Sequence, residues 1–196
     1  MGVTALRFLE SASTGNVYKR YQLIIDGEPS QICELSSKTV WQTVQFTSEP
    51  DCRWEIAPER KAFNKNWTVR DDQGTALGSV STNADKGCTA FNAAGDQRFI
   101  LFDPRKWHIK LSETALNSWP DRYVVASNDK EIGQIGRRLR DGEVEPQTRL
   151  QKFKSLVKPR DWTVEFAPQL DQSDLPLMTA AILILLEVIH RGARSV

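Results

Sequence analysis

Along most of the chain, apolar and polar residues alternate one by one, the period of a strand with one covered face. Tyr21, Leu23 and Ile25 are interleaved with Gln22, Ile24 and Asp26, Asp26-Gly27 offers a tight turn, and Gln31 to Leu35 can form the returning strand. Thr39 to Phe46 repeats the pattern, with Val40, Gln42, Val44 and Phe46 on one face and Trp41, Thr43 and Gln45 on the other. Asp51 to Ile56 predicts a short strand, whereas Ala57 to Asn66, charged and broken by Pro58, predicts a loop or a single helical turn. Two hairpins then share one design. Trp67-Thr68-Val69-Arg70 turns through Asp71 to Gly74 and returns as Ala76-Leu77-Gly78-Ser79-Val80; Tyr123-Val124-Val125-Ala126 turns through Ser127 to Lys130 and returns as Glu131-Ile132-Gly133-Gln134-Ile135. Tyr21 to Ile32 is a looser third copy. Further strands are predicted at Arg98 to Phe102, Lys106 to Leu111 and Trp162 to Phe166, and residues 1–17 read as an irregular N-terminal segment.

The alternation stops at Leu175. From Leu177 to Leu186 the only polar side chain is Thr179, so a helix here is apolar on every face and must be enclosed, by lipid or by the rest of the chain. Leu175 to Ile189 is too short for the roughly twenty apolar residues that span hydrocarbon, and it carries Glu187. Enclosure by protein is therefore the expectation. Ser173 and Asp174 offer N-cap oxygens, Pro176 suits the first turn, and His190, Arg191 and Gly192 write the stop, which predicts a central helix over 175–191. Ten to twelve strand candidates against one helix predict a mainly β fold, a closed antiparallel barrel of about twelve strands wrapped around that helix. One domain covering 1–196 is sufficient.

Charge changes the picture locally. Overall the chain is balanced, 26 basic residues against 25 acidic, so no global field recruits nucleic acid or a membrane. The stretch from Arg137 to Arg160 departs from that balance. It holds Arg137, Arg138, Arg140, Arg149, Lys152, Lys154, Lys158 and Arg160 against Asp141, Glu143 and Glu145, a density suited to acidic head groups or phosphates. Phe153, Leu156 and Val157 recur among the lysines at helical spacing, so an amphipathic helix with a solvated charged face is the competing explanation. Lys106 to Lys110, around Trp107, is the one approach to an aromatic and basic strand for single-stranded nucleic acid, and nucleic acid is not an expected partner.

Chemistry is sparse. The three cysteines, Cys33, Cys52 and Cys88, include no C-x-x-C pair and point to a reducing, cytoplasmic setting, and Met1 to Leu6 has neither a signal-peptide pattern nor a myristoylation site. Motifs for phosphate loops, dinucleotides, serine nucleophiles, zinc or calcium are all missing from the sequence, so no cofactor and no metal is expected. Cys88 or Cys52 with His108 could form a nucleophile and base dyad in space, but a histidine within Trp107-His108-Ile109 is more often packed or solvated than catalytic. The tryptophans sit mainly in strand-like stretches and read as core.

The order of these pieces resembles the tubby C-terminal-like superfamily, which includes tubby proteins, LURP-one-related proteins and phospholipid scramblases. The resemblance rests on the hairpins Trp67 to Val80 and Tyr123 to Ile135, followed by Trp162 to Phe166, Leu170-Asp171 and the apolar run from Leu175 to Ile189. It implies a barrel around a buried C-terminal helix and, from tubby proteins, phosphoinositide binding. No lipid-binding, calcium-binding or catalytic residue of those families matches a position here. The functional expectation is a non-enzymatic binding or scaffold module with peripheral affinity for anionic phospholipid at the inner face of a membrane; a scramblase-like protein with an inserted helix and a ligand-binding or hydrolytic barrel are the alternatives.

Overall fold

The computed structural model describes residues 2–11, 19–36, 45–49, 54–59, 66–82, 87–103, 122–138 and 161–189. It is mainly β. The strands are β1 (Gly2–Ser11), β2 (Lys19–Ile25), β3 (Glu28–Ser36), β4 (Gln45–Glu49), β5 (Trp54–Pro58) and β6 (Asn66–Asp71). They continue with β7 (Ala76–Thr82), β8 (Cys88–Asn92), β9 (Gln97–Phe102), β10 (Arg122–Ser127), β11 (Lys130–Arg138) and β12 (Asp161–Asp171). Among the described residues each strand pairs antiparallel with its neighbours in sequence, and β1 pairs with β2 on one side and β12 on the other.

β1 corrects the expectation that residues 1–17 are irregular. Gly2–Ser11 is a full strand, with Val3, Leu6 and Phe8 buried. A bulge between Val3 and Ala5 shifts the register and breaks the period-2 signature. The partner that makes it a strand, β12, lies at the other end of the sequence. β8 is likewise absent from the sequence-based expectation, and β12 extends well beyond Phe166. The strands predicted over Lys106 to Leu111 and most of Thr39 to Phe46 lie outside the described residues.

Four hairpins share a local device, a register shift at their turn-proximal end: Leu23/Ile24, Val69/Arg70, Ala90/Phe91 and Val125/Ala126. The extra residue increases the twist that closure needs. Asp26 and Gly27, at φ 49° and 93°, and Asn128 and Asp129, at 49° and 61°, form the left-handed tight turns anticipated from Asp-Gly and Asn-Asp. Asp71 and Asn92 instead organise longer turns by side chain. Asp71 Oδ1 accepts from the amides of Gln73 and Thr75 at 3.0 and 2.8 Å, and Asn92 Oδ1 from those of Ala94 and Asp96 at 3.0 and 2.8 Å.

Inward positions form one core: Tyr21, Leu23, Ile56, Trp67, Val69, Val80, Tyr123, Ile135, Trp162 and Val164 are all buried from the strands. The helix α1 (Leu175–Ile184) continues into a π-helical turn, Leu185–Ile189, and every residue from Leu177 to Glu187 is buried. It lies against β6, β7, β8 and β9. Among the described residues, no helix is long and apolar enough to cross a membrane. Gly78 permits the approach: a Cβ there would stand 3.1 Å from Leu177 Cδ1 and 2.2 Å from the Phe91 carbonyl oxygen. Pro176 falls in the first turn as predicted, but Asp174 makes no capping hydrogen bond. Its carboxylate is drawn to Arg98 at 2.5 Å, and Asp171 caps the preceding turn by accepting from the Ser173 amide at 2.9 Å. The stop signal His190, Arg191 and Gly192 lies outside the described residues.

Strict up-and-down pairing gives the barrel two unlike ends. One, the turn end, gathers the tips 26–27, 72–75, 93–96 and 128–129, together with the short turn Gln172–Asp174 that feeds the helix inward. At the other, the connection end, the helix finishes, and the strand ends are joined by longer stretches that lie outside the described residues.

Candidate functional site

The connection end is where polar chemistry enters the interior. On the inward face of β2, Tyr21 is buried and its hydroxyl donates to Glu187 Oε1 in the π-helical turn. A carboxyl in an otherwise apolar helix needs such a donor, because burying it unsatisfied would cost several times an ordinary hydrogen bond. The π-turn supplies the fit, since it rewinds the last part of the helix where a polar group must meet the wall. Asp103, just past β9, continues the inward alternation of Phe99 and Leu101 and is buried. Tyr123 of β10 and Trp162 of β12 lie with ring centroids 6.5 Å apart and planes inclined by 50°.

Two of the sequence-derived site residues, Arg137 and Arg138, are among the described residues, and both lie at this end. Arg137, on β11, is paired across the ladder with Trp162 and therefore shares its inward face, where it is half-buried. Arg138 is opposite Asp161 in register. Arg140, Arg149, Lys152, Lys154, Lys158 and Arg160 lie outside the described residues, as does the amphipathic stretch around Phe153, Leu156 and Val157. Asp161, which opens β12, is buried and is held by Arg7 of β1, whose Nε is 2.9 Å from Oδ1 and whose Nη2 is 2.5 Å from Oδ2. That bidentate pair neutralises the first residue after the basic stretch.

Cys88 does not fit a nucleophile. Its thiol is fully buried, points at the Ala181 carbonyl oxygen at 3.4 Å, and burial pushes its pKa up, so the reactive thiolate is suppressed. Cys33 is buried on β3 and pushed up to about 12 for the same reason. Cys52 and His108 lie outside the described residues. Trp54, Trp67 and Trp162 are core residues as expected; Trp54 satisfies its indole N–H with Gln31 Oε1 at 3.0 Å.

Glu187 and Asp103 are the buried acids of this end that sequence reasoning undervalued. Glu187 carried a signal, the lone charge in an apolar run, but its partner Tyr21 lies 166 residues away. Asp103 sits at a strand end that resembles any turn. Compared with family models, curated proteins and solved structures, the chain matches none of them.

Proposed function

We propose that this chain is a non-enzymatic binding module of tubby-like architecture that holds anionic phospholipid head groups peripherally, through the basic stretch Arg137 to Arg160 at its connection end, as a cytoplasmic protein at the inner face of a membrane. The supporting observation is where the stretch is anchored. It leaves β11 at Arg138 and rejoins β12 at Asp161, and both points belong to the end where the helix stops. The acid of Asp161 is buried and already cancelled by Arg7, so it does not oppose the basic charge beside it. The tubby-like reading is supported by the closed order of twelve strands and by an apolar C-terminal helix buried from Leu177 to Leu186. With that helix packed against the wall, the scramblase-like alternative has no observation in its favour.

The test is binding of the purified chain to anionic vesicles over a salt series. The expected result is affinity that weakens as salt screens it and that falls at low salt when Lys152, Lys154 and Lys158 are each changed to Glu. Binding unaltered by those three changes rejects the basic stretch as the contact.

A further inference from the structure

We draw no further inference here: the strongest candidate, the apolar outer face of the wall where Phe91 of β8, Ile100 and Phe102 of β9 and Val124 and Ala126 of β10 stand half-buried on adjacent strands, carries nothing because nothing in the structure shows what covers it.

Discussion

Gly133 and Gly136 stand three residues apart on β11 and provide a matched pair of alanine substitutions. A Cβ at Gly133 would lie 2.6 Å from the Glu165 carbonyl oxygen and 3.0 Å from Phe166 Cδ1, whereas a Cβ at Gly136 meets nothing within 4 Å. Ordinary contact begins at 3.4 Å, so the first variant must displace the backbone of β12, the strand that closes the barrel onto β1. The unfolded chain loses the same freedom in both variants, which favours alanine by about 0.4–1 kcal/mol and cancels in the comparison. What remains is the clash, and forced packing of one extra methyl costs about 1–3 kcal/mol. Gly133→Ala should therefore unfold at a lower urea concentration than Gly136→Ala, by about 1 M if the slope is near 2 kcal/mol per M. Gly78→Ala, with the Phe91 carbonyl oxygen at 2.2 Å and Leu177 beyond it, should be at least as costly and should also loosen the helix. Equal midpoints for Gly133→Ala and Gly136→Ala would refute the claim that the repeated glycine serves close approach.

Tyr21→Phe removes the hydroxyl that donates to buried Glu187 and should destabilise the protein by about 1–3 kcal/mol in urea titrations, while Gln22→Ala, on the outward face of the same strand, should cost well under half of that. Cys33 and Cys88 should resist thiol reagents in the native state at neutral pH and react on unfolding. Because burial raises the Cys33 pKa to about 12 from the ordinary 9.0, its contribution is intact below pH 9 and is lost progressively above it, so the urea midpoint should fall with rising pH and fall less in Cys33→Ala. Asp26 has the opposite sign: its folded pKa is depressed, so its stabilisation holds above the unfolded value of 3.8 and disappears as pH drops through the folded one. Asp26→Asn, which tolerates the positive φ, should show a smaller loss of stability between about pH 5 and pH 2 than the parent in acid titrations followed by circular dichroism.

The alternation in Tyr21 to Leu23, Trp67 to Val69 and Tyr123 to Val125 was sufficient to place these residues inward, since a period of two leaves only one face for the core. Turn chemistry did the same for Asp26-Gly27 and Asn128-Asp129, whose backbone conformations depend on the residues themselves. The apolar run after Leu175 dictated a helix surrounded by protein, because it is too short to span hydrocarbon and has no face suited to water.

Other features depend on partners remote in sequence. β1 is a strand because β2 and β12 flank it, and its bulge hides the alternation that would have announced it. Asp174 was available as a cap, but Arg98, 76 residues earlier in the chain, holds its carboxylate instead. Glu187 is bearable in the core because Tyr21 reaches it across the barrel, and a π-turn accommodates the contact. The two unlike ends arise in the same way. Each acidic turn is visible in the sequence, but only the order of pairing gathers the described turns at one end and sets Arg137 and Arg138 at the other, because which loops become neighbours is a property of topology rather than of composition.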